Sequence, residues 1–137
     1  KKPFEEDRCK TIHSLCWEDN QYDSLLCGNN TGELTIWDLA KSNHLIRNSN
    51  GKSGIISIDH LFSHNPYVLL TFCDKKIEIV DKRTNKKSFS TKHNLKPIAT
   101  FWNNFQDEFC SIFKNGEIGF HDLRNLKWLR IQKSNLK

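Results

Sequence analysis

Two imidazoles, His60 and His64, with Asp59 beside the first, come nearest in type and spacing to a metal-binding pair. A zinc site needs three or four ligands at telling spacings, and no third ligand stands at one here. His60 falls at the end of an apolar strand-like segment and His64 in a loop beside Pro66, so packing and turn formation account for them better. Asn29-Asn30-Thr31 fits the glycosylation acceptor pattern, but on a tight hairpin where a turn role is the simpler reading. Five cysteines (Cys9, Cys16, Cys27, Cys73, Cys110) form an odd, scattered set with no C-x-x-C pair. That argues against both a disulfide framework and a zinc knuckle. All but Cys9 fall inside apolar runs, where a thiol acts as a small hydrophobe. A reducing compartment, cytoplasm or nucleus, is the expected location. No Gly-x-Ser-x-Gly, phosphate-binding loop or His-Glu-x-x-His occurs. The chain is therefore expected to be no enzyme, with no cofactor, no metal and no small-molecule substrate.

Charge is the next candidate for function. Lys and Arg outnumber Asp and Glu by 21 to 16, a formal +5. Lys82, Arg83, Lys86, Lys87, Lys92 and Lys96 crowd into one stretch without an acid between them. Such a stretch is either a solvated outer edge, where Lys also deters strand-to-strand aggregation, or a patch for phosphate or an acidic protein. Lys82, Arg83, Lys86 and Lys87 are expected to be exposed. Only Phe89 interleaves with them, which argues against a single-stranded nucleic-acid track, and nucleic acid is not the favoured partner. With 36% hydrophobic and 27% charged residues the chain reads as soluble and globular. No apolar run approaches the roughly 18 residues of a membrane span, and no signal segment opens the chain. Methionine is absent, and an internal piece of a longer chain is the expectation.

The elements that must position these residues repeat. Ile12 to Trp17, Ile55 to His60 and Ile98 to Trp102 line up as one landmark. Leu34-Thr35-Ile36-Trp37-Asp38, Ile77-Glu78-Ile79-Val80-Asp81 and Ile118-Gly119-Phe120-His121-Asp122 line up as a second. The closing aspartates Asp38, Asp81 and Asp122 keep a step of about 40–45 residues, the length of a four-stranded propeller blade. Each copy divides into four strand-like runs. The first is strand a, named above. The second, strand b, is Ser24 to Cys27, Val68 to Phe72 and Glu108 to Phe113. The third, strand c, ends at the aspartate. The fourth, strand d, is His44 to Arg47, Lys87 to Ser90 and Leu126 to Ile131. Thr31-Gly32, Asp74-Lys75 and Asn115-Gly116 stand where b reverses into c, and Asn-Gly predicts a turn with positive φ at both central residues. The chain reads as all-β: a single propeller portion over 1–137, with blades at approximately 12–47, 55–90 and 98–131.

At Leu26-Cys27-Gly28-Asn29-Asn30-Thr31-Gly32-Glu33-Leu34-Thr35-Ile36-Trp37-Asp38 the chain resembles the b–c hairpin of the WD-repeat β-propeller family. The resemblance runs over about residues 8 to 131. It implies a partial β-propeller of three four-stranded antiparallel blades within a larger, seven-bladed ring. Trp-Asp itself survives only in the first copy. The family's Gly-His pair is not recognisable, with His93 near its place in the third, and the turn aspartate remains only as Asp74. The family's His-Ser-Asp-Trp hydrogen-bond tetrad is thus incomplete, and rigidity is expected from apolar packing between blades. Trp17, Trp37 and Trp102 read as structural landmarks, and Trp128, on the fourth strand of the third copy, as a candidate interface anchor.

The resemblance further implies a non-catalytic scaffold that binds other proteins in a multiprotein complex through its d–a and b–c loops. Here those loops hold Arg47, Asn48, Asn50, Lys52, Asp74, Lys75, Lys76, Lys92, His93, Lys96, Asn115 and Glu117. The alternative is a nuclear subunit engaging chromatin, histones or nucleic acid through the basic patch. Asp122-Leu123-Arg124-Asn125-Leu126-Lys127 is similar to a stretch of the histone-binding WD-repeat proteins associated with retinoblastoma protein.

Overall fold

Short β-branched and aromatic runs, each closed by Gly, Asn, Asp or Lys, fold into twelve strands in this computed structural model. It describes residues 11–18, 23–41, 43–48, 53–60, 66–84, 86–103, 108–122 and 127–133, with backbone alone at 43–48 and 127–133. The strands of the first blade are β1 (Ile12–Trp17), β2 (Ser24–Asn29), β3 (Glu33–Asp38) and β4 (Asn43–Asn48). Those of the second are β5 (Ile55–His60), β6 (Tyr67–Phe72), β7 (Lys76–Asp81) and β8 (Lys86–Lys92). The third has β9 (Pro97–Trp102), β10 (Glu108–Phe113), β11 (Glu117–Asp122) and β12 (Lys127–Lys133). They pair antiparallel into three four-stranded sheets, each in sequence order. Pro97 opens β9, a position where its missing N–H breaks no ladder. The register also repeats: Asp38, Asp81 and Asp122 stand opposite Ser24, Tyr67 and Glu108, the first residues of their partner strands.

One backbone bond is copied at every b–c turn. The first turn residue donates to the residue just before strand a: Asn30 to Thr11 O at 2.9 Å, Cys73 to Gly54 O at 3.0 Å, Lys114 to Lys96 O at 2.9 Å. The turns themselves correct the expectation of two positive-φ residues. Only Gly32 (88°), Lys75 (73°) and Gly116 (88°) take positive φ. The loops are three residues long, 30–32, 73–75 and 114–116, and Gly116 N–H closes onto Phe113 O at 3.0 Å. In this hairpin class a right-handed turn precedes a single left-handed residue, so Asn115 needs no strained backbone.

Strand β5 lies between β1 and β9, in contact with each, and β2 and β6 touch the first strand of the next blade. The sheets therefore fan from a common axis with β4, β8 and β12 outermost. Leu26, Leu34, Ile55, Ile58, Val68, Leu70, Phe72 and Val80 fill the space between the first and second blades. Leu69, Ile77, Ile79 and Phe109, with Phe89 and Trp102 against them, fill the space between the second and third. The second blade is covered on both faces, which is why Val68 to Phe72 is continuously apolar rather than alternating. Apolar packing between blades is supplemented by polar bridges. Ser14 Oγ donates to Ile55 O at 3.0 Å, Thr71 and Thr100 share a buried 2.6 Å hydroxyl bond, and Trp102 N–H donates to Asp59 at 2.6 Å. Blades one and two approach so closely that a Cβ at Gly28 would meet Ile55 Cγ2 and Ser14 Oγ at 2.6 Å.

Candidate interaction surface

The turns that join β6 to β7 and β10 to β11, with the connection 93–96, build one loop face on the second and third blades. His93 N–H donates to Lys75 O and Lys114 N–H to Lys96 O, both at 2.9 Å, and Lys76 stands opposite Lys92 at the hairpin end. These bonds bring together Asp74, Lys75, Lys76, Lys92, His93, Lys96, Asn115 and Glu117 from the sequence reading. Arg47 and Asn48 close β4 opposite Leu34 and Glu33, at the same end of the first blade; their side chains, and Asn50 and Lys52 entirely, lie outside the described residues.

The members differ in what they can offer a partner. Lys75, Lys92, Lys96 and Asn115 are exposed, and so is Lys114, which the sequence reading missed. Its signal was position: it opens the third b–c turn, the place held by Asn30 and Cys73 in the other blades. Lys76 is taken inward, its Nζ 3.5 Å from Glu78 and 4.5 Å from the Phe72 ring centroid. His93 lies half-buried, edge-on to Phe113 at 5.4 Å. Burial, helped by His121, holds its pKa down at about 4. It is a neutral anchor of the loop at pH 7 rather than a cation. Asn115 Oδ1 accepts the Glu117 N–H at 3.1 Å and so shapes its own turn.

Arg83, Lys86 and Lys87 of the outer basic stretch are exposed as expected, whereas Lys82 is half-buried, and three of the four charges face carboxylates. Lys82 pairs across the blade boundary with Glu18, and only about a sixth of either side chain is exposed. Arg83 clamps Asp81 through Nε at 3.1 Å and a terminal nitrogen at 2.9 Å, and that contact lowers the Asp81 pKa. Lys87 turns back to Glu78 at 2.8 Å. The cause is Glu78, fully buried in central strand β7, because a carboxylate there needs a counter-charge. Lys86 alone of the four stands exposed with no such pair.

Other candidates settle into structural roles. Asn29 Oδ1 accepts the N–H groups of Thr31 and Glu33 at 2.9 Å, so the acceptor-pattern asparagine is spent on its turn. Asp38 and Asp81 likewise cap the turns after their strands, accepting Lys41 N–H at 3.1 Å and Arg83 N–H at 2.9 Å. Asp122 is buried. His121 takes the place of Trp37 and stacks on Phe109 at 5.1 Å, with Phe89 edge-on. Trp102 packs edge-on to Phe109 at 6.3 Å and Trp37 is half-buried, whereas Trp17 is 38% exposed on the open flank. Cys73 is a further correction: it opens the second b–c turn and is exposed, rather than lying in the apolar strand. Burial, then Asp59, pushes the Cys16 thiol up to about 11, far from the thiolate a nucleophile needs. Among the described residues no group of three or more His, Cys, Asp or Glu could hold a metal. His64 and the side chain of Trp128 lie outside the described residues, as do Cys9 and residues 123–126 of the stretch similar to histone-binding proteins. Nor is any helix there long and apolar enough to cross a membrane.

No protein-family model matches the sequence, and no curated protein does. Solved structures do. The crystal structure of the mitotic checkpoint complex contains a chain that matches with a TM-score of 0.79 at 14% identity, covering 93% of this chain and 40% of that one. A crystal structure of RRP9 WD40 repeats matches at 0.78 and 10% identity, covering 94% of this chain and 40% of that one. At such identities the likeness shows the fold alone: the three sheets are consecutive blades of a WD40-type β-propeller. The chain spans less than half the length of either matched chain.

Proposed function

We propose that this chain is part of a non-catalytic scaffold that binds other proteins within a multiprotein complex, using the b–c and d–a loop face. The observation that carries the reading is the repeated backbone bond that fixes each b–c turn to the start of strand a. It gives a rigid face that presents exposed side chains, the situation in which loops serve recognition. The similar fold within a mitotic checkpoint complex accords with assembly into a larger complex. Engagement of chromatin or nucleic acid through the outer basic stretch has less support, because Lys82, Arg83 and Lys87 already face carboxylates. We place the scaffold inside the cell, in keeping with its unpaired thiols Cys16, Cys27, Cys73 and Cys110.

The test is affinity capture of the native full-length protein with cross-linking. Cross-links should concentrate on Lys75, Lys92, Lys96 and Lys114 and be sparse at Lys86. Partners cross-linked only to the outer strands would overturn the assignment of the loop face. Salt-labile binding to nucleic acid alone would favour the chromatin reading, since phosphate contacts weaken steeply with salt.

A further inference from the structure

The two basic regions of this molecule differ in one physical respect. On the outer edge Lys82, Arg83 and Lys87 sit opposite Glu18, Asp81 and Glu78, so each already faces a carboxylate of the chain. On the loop face Lys75, Lys92, Lys96 and Lys114 are all exposed. No carboxylate lies within ion-pair distance of any of the four among the described residues. Their backbones are tied in a short chain: Lys75 O to the N–H of His93, next to Lys92, and Lys96 O to the N–H of Lys114. Four like charges have thus been placed on fixed turns, none of them in an ion pair among the described residues. Neutral His93 beneath them adds no further charge.

We propose that this lysine quartet docks an acidic, extended segment of a partner protein; the proposal rests on the scaffold reading and names the partner chemistry of its loop face. A peptide is favoured over a nucleic acid by what surrounds the lysines. Half-buried Asp74 stands in one of these turns and half-buried Glu117 directly follows the other. Duplex DNA, with a phosphate charge about every 1.7 Å of its axis, would meet them unavoidably, whereas spaced carboxylates of a peptide can pass between. Single strands are held by stacking on exposed aromatics. The large exposed aromatics among the described residues are Trp17, Tyr67 and Phe101, and none is in these turns. Phe113, beside them, is buried under His93.

The quartet separates from the outer edge in one experiment on the native full-length protein. The probes are a fluorescent oligoglutamate peptide, a DNA duplex and a single-stranded RNA, each titrated at rising salt. The variants are Lys75→Gln, Lys92→Gln, Lys96→Gln and Lys114→Gln combined, with Lys86→Gln as control. The expected result is salt-sensitive binding of oligoglutamate that falls about tenfold in the fourfold variant and is unchanged in the control, with the melting temperature preserved. Unchanged oligoglutamate binding in the fourfold variant, or no binding by the parent protein, overturns the proposal, and tighter binding of DNA or RNA than of oligoglutamate overturns the choice of a peptide. Capture of cellular partners by the fourfold variant tells the two readings apart. If they are retained in full, the acidic docking is wrong while the scaffold reading stands. If the parent protein captures none either, the scaffold reading has failed.

Discussion

Gly28 and Lys75 are single positions where backbone and space decide what side chain is tolerated. Gly28→Ala must displace Ile55 and Ser14, whose atoms stand 2.6 Å from the new Cβ, and overpacking of this kind costs about 1–3 kcal/mol. Denaturant unfolding of the full-length protein should show that loss; an unchanged midpoint would mean the blades are not so closely set. Among the described residues Lys75 is the non-glycine residue at positive φ, 73°, in the place that Gly32 and Gly116 hold in the other turns. Lys75→Gly should therefore raise stability by about 1 kcal/mol, less the entropy glycine adds to the unfolded chain, while removing one charge of the quartet. His93 couples the same loop to pH. Its folded pKa is about 4 against an ordinary 6.5, and burial lowers that of His121 as well. Between those values the unfolded chain binds a proton the folded chain refuses, so stability is full above about pH 6.5 and is lost as pH falls towards 4. A His93→Phe variant should show a shallower loss over that window, read from melting temperature against pH.

Strand β7 shows how a whole element can hide its chemistry from a sequence. Glu78 looks like an ordinary polar residue of an alternating strand, yet it is fully buried and meets Lys87 at 2.8 Å and Lys76 at 3.5 Å. Removing one partner of a buried pair leaves a charge uncompensated, a loss of about 3–5 kcal/mol when nothing else serves it. Lys76 softens that here, so Lys87→Met should cost about 1–3 kcal/mol, and Glu78→Gln added to it should recover much of the loss. Lys86→Gln should stay within about 0.5 kcal/mol. Equal effects of Lys86 and Lys87 would return both to a solvated edge. The strands themselves were legible because each blade repeats its Asp and its first apolar landmark. Long-range pairing was not: Lys82 and Glu18 are 64 residues apart in the chain, and a window from Lys82 to Lys96 contains no acid to reveal it. Turn detail was half legible. Asn115-Gly116 marks the reversal, but the pair does not fix loop length, and the three-residue loop exempts Asn115 from positive φ. Cys73 continues the apolar run of Val68 to Phe72 in sequence, and only the backbone shows that it opens the turn. The loop face was readable as a class from the resemblance, whereas Lys114 required the backbone bond to Lys96 to join it.

At the scale of the molecule, the three blades are not equivalent. The second is covered on both faces, whereas the first leaves Leu15 59% and Trp17 38% exposed, and the third leaves Phe101 45% and Ile112 37% exposed. These flanks are of the kind that pack against each other within the chain, where one face of the first and of the second blade already meets its successor. Expressed as these 137 residues alone, the chain should associate, because stacked repeats bury their faces only against neighbours. The mode of association follows from the geometry. The flank of the third blade matches the flank of the first, not itself, so copies should join head to tail, a heterologous contact that runs on into rings or filaments. Leu15→Glu blocks one flank and Phe101→Glu the other. Each variant alone should be small in light scattering, while an equimolar mixture should form a heterodimer and stop there, since each copy then offers one usable flank. A parent chain that stays monomeric at high concentration would show that the flanks are not adhesive. Variants that each form homodimers would show that like flanks pair, and that the fan of blades does not set the direction of assembly.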